Sequence, residues 1–259
     1  MNLGFLASGR GSTMQAVIDA CKTGRLRAKP CVVISNNRDA QALARARQEG
    51  IPAYHLSART EPDPGLLDAA ILHTLQHHEV DLVILAGYMK KLWMKTLTHY
   101  RGKILNIHPS LLPRFGGQGR YGIHVHEAVL AAGERETGAT VHLVEGEYDQ
   151  GTILSQCRVP VYTGDTADTL AQRVLAQEHR LLVETLEQIL SGKLALPEVL
   201  TCPQLMQRPQ GHREEDERPG LMSHSQGKRH HPQQGRDPEA DLADRSRHKR
   251  MQGQPSPPR

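Results

Sequence analysis

The stretch Leu3-Gly4-Phe5-Leu6-Ala7-Ser8-Gly9-Arg10-Gly11-Ser12, continued by Thr13 to Cys21, decides the fold. Leu3 to Ala7 form a short apolar run, as a strand covered on both faces requires. Ser8-Gly9-Arg10-Gly11 interrupts it with turn formers, and Met14, Val17, Ile18 and Cys21 then fall at i, i+3, i+4 and i+7. Ser12 is placed to N-cap this helix and Gly24 to close it. A buried strand entering a helix through a glycine-rich turn is the first unit of a parallel α/β sheet.

The same rhythm continues along the chain. Pro30–Ser35, Ile51–Leu56, Asp81–Ala86 and Lys103–Ile107 are expected strands, with Leu82 to Leu85 consecutively apolar. Helices are expected over Ala40–Glu49, Leu66–His77, Leu92–Tyr100 and Val125–Ala132. Ala139–Val144 and Ile153–Pro160 are separated by acidic turn residues and are read as antiparallel neighbours. Thr166–Leu190 is a long amphipathic helix that Gly192 ends. Strands alternating with helices imply right-handed βαβ units, hence an open twisted, mostly parallel sheet with helices on both faces, a Rossmann-like α/β fold.

The chain has 259 residues, 38% of them hydrophobic, and the apolar deficit is concentrated near its end. From Pro197 the sequence loses apolar periodicity and cannot bury enough surface to offset ordering entropy. Two regions are therefore expected, 1–196 as a folded domain and 197–259 as a disordered tail. His230 and His231 in that tail are read as solvated rather than metal-bound. A net charge of +4 gives little reason to expect a nucleic-acid partner. Cys21, Cys31, Cys157 and Cys202 lie far apart, without CxxC or zinc spacing, as free thiols in a reducing compartment do. The N-terminal apolar run is too short to span a bilayer and lacks a charged leader, so no membrane association and a cytoplasmic location are expected.

Four places carry candidate chemistry. The Ser8–Ser12 turn offers free N–H groups at a helix N-terminus, a mononucleotide-type phosphate cradle. It is neither the dinucleotide fingerprint, because Met14 stands at the third glycine position, nor a Walker loop. In Asn106-Ile107-His108-Pro109, strand alternation sends Asn106 and His108 to one side, and Pro109 stops the strand at the ligand-binding crevice. A carboxamide beside an imidazole suits a carbonyl oxygen that gains negative charge. Asp149, in Tyr148-Asp149-Gln150-Gly151, is an ordinary turn former unless it faces His108, where it would favour the protonated imidazole. Glu178, in the final helix, reads as a surface carboxylate or as one that orients a substrate amine.

Together these residues resemble the phosphoribosylglycinamide formyltransferases, a folate-dependent family of purine synthesis. The resemblance runs from Met1 to about Leu196. It rests on the Ser-Gly-x-Gly-Ser turn, Leu85-Ala86-Gly87-Tyr88-Met89, Leu105 through Pro113, Thr137 through His142, Tyr148-Asp149-x-Gly151 and Gln177-Glu178-His179. It implies that Gly11, Ser12 and Thr13 hold the phosphate of glycinamide ribonucleotide, and that Met89, Lys90, Lys91, Leu92 and Asn106 line the site of the co-substrate 10-formyltetrahydrofolate. Asn106, His108 and Asp149 would be catalytic, Glu178 would contact the amine, and no metal would be needed. The assembly would be a monomer or homodimer.

Three features depart from the family pattern. Pro64 stands where a basic residue often holds folate, with Arg59 the nearest cation, so that contact is weakened or moved. The loop Phe115–Gly122 is of a longer type, and the tail has no counterpart. Rival readings are a formyltetrahydrofolate deformylase, which uses the same trio with water as acceptor, and a non-catalytic nucleotide-binding protein. Deformylases usually carry an extra N-terminal domain, and a methionyl-tRNA formyltransferase would add a structured C-terminal one.

Overall fold

A computed structural model describes residues 1–197. The tail expected over 197–259 therefore lies, Pro197 apart, outside the described residues.

Seven strands form one sheet: β1 (Asn2–Leu6), β2 (Lys29–Ser35), β3 (Ala53–His55), β4 (Leu82–Leu85), β5 (Ile104–His108), β6 (Glu136–Leu143) and β7 (Ile153–Pro160). Six helices join them: α1 (Ser12–Lys22), α2 (Gln41–Gln48), α3 (Pro64–His77), α4 (Met94–His99), α5 (Ile123–Ala131) and α6 (Ala167–Leu190). The strand order is β3-β2-β1-β4-β5-β6-β7. β1 to β5 are parallel, whereas β6 runs antiparallel to β5 and β7 antiparallel to β6.

Strand alternation divides the core in two. Leu3 and Phe5 of β1 pack with Met14, Val17 and Ile18 of α1, Leu43 of α2, and Leu170, Val174 and Leu182 of α6. Leu6 points to the other face, with Val32, Ile34 and Val83, and meets Ile71 and Leu75 of α3. The run of consecutive apolar residues in β4 follows from this double cover. Gly4 belongs to the α3 face, where a Cβ would come within 2.9 Å of both Leu75 and Val80. Only a residue without a side chain lets the helix sit so close.

The sequence order reverses between β1 and β4, so the loops after these strands diverge and leave a crevice at their carboxyl ends. Ser8 fastens its floor: its N–H donates to Gly87 O at 3.0 Å, its hydroxyl donates to Asn36 Oδ1 at 2.5 Å, and Met89 N–H donates to that hydroxyl at 2.7 Å. Three loops, after β1, β2 and β4, thus meet at one oxygen.

The expected capping of α1 by Ser12 is corrected. The N-cap is Gly11, at φ 69°, with no side-chain cap, and Ser12 is already inside the helix. A Cβ at Gly11 would lie 2.7 Å from that of Ala42. Left-handed backbone and close approach of α2 both demand glycine here.

A neighbouring helix caps α4. The buried Asp68 on α3 accepts from Lys95 N–H at 2.7 Å, Thr96 N–H at 3.2 Å and the Thr96 hydroxyl at 2.5 Å. Asp68→Ala should destabilise the fold by about 1–3 kcal/mol, the usual scale for a lost cap and an unsatisfied buried donor. The midpoint of urea denaturation reports this, and an unmoved midpoint would show that the cap carries no weight.

Candidate active site

The crevice opens into a cavity of about 910 Å³. Gly11, Ser12 and Thr13 line one wall, Met89 to Leu92 a second, and Asn106, His108, Asp149 and Glu178 the remainder. Every candidate residue read from the sequence thus borders one space, although Ser12 and Glu178 are far apart in the chain.

β5 ends at His108, which is 3% exposed. Its Nδ1 lies 3.4 Å from Asp149 Oδ2, and its Nε2 lies 3.0 Å from the Phe115 carbonyl. A carbonyl only accepts, so Nε2 carries a proton. With a carboxylate on its other nitrogen, the ring faces an acceptor at each end, and a doubly protonated imidazole satisfies both.

Asp149 adopts a left-handed backbone at φ 55°, with its carboxylate toward His108 and Asn106. Gly117 N–H donates to Oδ2 at 2.9 Å and Asn106 Nδ2 donates to Oδ1 at 3.4 Å. His142 Nε2 stands 3.5 Å from Oδ1. Burial alone would raise this carboxyl. The hydrogen bonds of His108 and His142, the charge of His108 and the Gly117 N–H outweigh it and hold Asp149 well below the usual carboxylate range.

Sequence reasoning missed the contribution of His142 to this constellation. In the β5–β6 pair Asn106 lies opposite His142 and His108 opposite Thr140. His142 Nδ1 donates to Leu143 O at 2.8 Å, and its Nε2 lies 3.0 Å from Asn106 Nδ2. Thr140 anchors the segment after β5 by donating its hydroxyl to Ser110 O at 2.6 Å and accepting from Leu112 N–H at 3.1 Å. Only the strand register reveals these partners. His126 of α5 was missed too; it is buried on the cavity wall, and burial and the charge of His108 push it down to about 4. A second histidine two residues before it was the available signal.

Glu178 is half-buried on the cavity side of α6, and burial pushes its carboxyl up to about 7, against the opposing pull of His108. Lys91 of the β4–α4 loop bridges to Glu147 at 3.0 Å, next to Tyr148 and Asp149. Among the described residues no group of three or more His, Cys, Asp or Glu is arranged to hold a metal ion, and no helix is long and apolar enough to cross a membrane.

An imidazole, a carboxylate and a carboxamide around one open space, beside a glycine-rich helix entry, are an arrangement suited to acid–base group transfer on an α/β sheet. The family model for formyl transferases matches residues 1–186. Phosphoribosylglycinamide formyltransferase of Escherichia coli is 39% identical over 198 residues, an alignment spanning 76% of this chain and 91% of that one. The crystal structure of glycinamide ribonucleotide transformylase 1 from Symbiobacterium toebii superposes with a TM-score of 0.71 at 40% identity, covering 76% of this chain and 91% of its own. A formyltetrahydrofolate deformylase from Pseudomonas syringae pv. tomato reaches a TM-score of 0.68 at 25% identity, covering 76% of this chain and 63% of its own. The chain belongs to the formyl transferase family, and within it to the phosphoribosylglycinamide formyltransferases.

The Glu178 carboxyl gives a testable pH dependence. In the unfolded chain a glutamate ionises near pH 4.3, whereas the folded protein keeps this proton until about 7. Folding therefore carries a penalty that is absent below about pH 4, grows from there to about 7 and is constant above. Glu178→Gln should stabilise the ligand-free protein by about 1–3 kcal/mol at pH 8 and not at pH 4. Thermal midpoints across that range decide it; a gain independent of pH would contradict the assignment.

Proposed function

We propose that this chain transfers the formyl group of 10-formyltetrahydrofolate to the amine of 5-phosphoribosylglycinamide, a step of de novo purine synthesis. The observation that supports it most directly is the shared Asp149 carboxylate. It joins His108 and Asn106 across a cavity whose opposite wall is a phosphate-type helix entry. The family membership agrees with the same chemistry.

In this reading the substrate phosphate rests on the N–H groups of Gly11, Ser12 and Thr13, where the dipole of α1 favours an anion. The folate head lies along Met89, Lys90, Lys91 and Leu92, and Asn106 also borders it. Glu178 accepts a hydrogen bond from the glycinamide and directs its amine at the formyl carbon. The amine lone pair forms the new C–N bond, and the carbonyl electrons move onto oxygen. Asn106 Nδ2 and His108 Nε2–H donate to that oxygen, each after exchanging a partner it has in the free protein. For His108 the partner is the Phe115 carbonyl, so one carbonyl replaces another at the same donor. Asp149 keeps His108 protonated and relays the amine proton through water toward the folate nitrogen. The bond from carbon to that nitrogen then breaks, releasing tetrahydrofolate and the formylated amide.

The chemistry of the trio would equally serve water as acceptor, as in a deformylase. The phosphate cradle and Glu178 give the amine substrate its own place in the cavity, which favours transfer. The protein is read as cytoplasmic, with 1–196 as the catalytic unit.

His108→Ala and Asp149→Asn should each lower kcat by roughly two to four decades, the range for lost acid–base and oxyanion groups. Unchanged turnover in either would remove the mechanism. An assay of tetrahydrofolate release with and without glycinamide ribonucleotide separates transferase from hydrolase. Release only in its presence is expected, and equal release in its absence would assign a deformylase instead.

A further inference from the structure

The described residues hold a second concentration of imidazoles away from the cavity, on the solvent side of α3. His73 and His77 are one turn apart and both exposed. Residues at i and i+4 are neighbours on a helix surface. Their rings are almost parallel, with an interplanar angle of 7° and centroids 6.2 Å apart. Neither ring is engaged in a side-chain hydrogen bond or ion pair among the described residues.

His78 supports this arrangement without joining it. Its ring stands edge-on to that of His77 at 5.1 Å, and its Nε2 lies 3.0 Å from the Tyr54 hydroxyl. His77 is thus held between the parallel ring of His73 and the edge of a ring that is itself tied to β3. The helix beneath is fixed through buried Ile71 and Leu75 and through the Asp68 cap on α4. Two unpartnered imidazoles are therefore presented at fixed spacing on a rigid element.

Paired neutral imidazoles have a specific chemistry. They suit borderline divalent cations such as Zn²⁺, Ni²⁺ and Cu²⁺, whereas Mg²⁺ and Ca²⁺ prefer oxygen. With metal–nitrogen bonds of about 2.0–2.1 Å at a tetrahedral angle, the two centroids would lie about 5 Å apart. The observed centroids are about 1 Å farther apart than that and the rings nearly parallel, so binding requires each exposed ring to turn about its side-chain bonds until one nitrogen of each faces the ion.

We propose that His73 and His77 form a two-imidazole clamp for a borderline divalent cation, the other coordination positions being filled by water or an external ligand. The site is independent of the formyl-transfer reading. It exists only while α3 is folded, so occupancy stabilises the native chain in proportion to cation concentration.

The test is thermal unfolding of the full chain with increasing Zn²⁺, and with Mg²⁺ as the oxygen-preferring comparison. The variants are His73→Gln, His77→Gln and a tail variant carrying His230→Gln and His231→Gln. Zn²⁺ should raise the Tm of the wild type and of the tail variant, and Mg²⁺ should not. Either α3 variant should need at least about tenfold more Zn²⁺ for the same rise, because one of two ligands is gone. Glutamine at these exposed positions keeps the helix polar and intact. An α3 variant that responds like the wild type, a response lost in the tail variant, or an equal response to Mg²⁺ would each overturn the clamp.

Discussion

The Asp149 carboxylate sits beside the carboxyl end of β5 with donors on nearly every side: an imidazole on each flank, a carboxamide, and the Gly117 N–H. An anion in such a place is costly unless its partners are already aligned. Much of the surrounding structure serves that alignment. β5 supplies Asn106 and His108 from one face of a strand, and antiparallel β6 brings His142 opposite Asn106. Thr140 then ties down the chain just after His108. The loop after β6 places Asp149 in left-handed backbone, the conformation that returns its side chain to the strands it has just left.

Two differently built walls meet at the cavity. The wall made by β1, β2 and β4 is locked through the hydroxyl of Ser8, and α2 packs so closely on Gly11 that only glycine fits. The opposite rim, from Phe115 to Gly122, carries glycines at positive φ and touches the acid–base group through one backbone carbonyl and one N–H. The glycine-rich helix entry is thus part of a tightly tied surface. His108 and Asp149 are joined to a glycine-rich segment by those two backbone contacts.

Much of this was legible in the residues. The consecutive apolar strands and the helical periods of α1 and α6 specify a doubly covered sheet because burial on both faces leaves no other pattern. Asn106 and His108 announced themselves by alternation and by the proline that ends their strand. Their meeting with Asp149 could only be conditional, since it depends on how β6 registers against β5. The same dependence hid His142, whose role comes from the residue opposite it rather than from its neighbours in the chain. Ser12 misled as a cap because the backbone of Gly11 bends one residue earlier than the side-chain preference suggests. The half-buried state of Glu178 was invisible too, since a polar residue on a long helix reads as solvent-facing until the packing of α6 is known.

The cavity draws on the first loop of the chain and on the last long helix, with the acid–base group contributed in between. This ordering has a consequence for biosynthesis. During translation the strand and turn bearing Gly11 emerge first, yet no complete binding space can exist until the ribosome has released the turn of α6 that bears Glu178. The full lining of the cavity is therefore assembled only late in the synthesis of this fold, once α6 can pack.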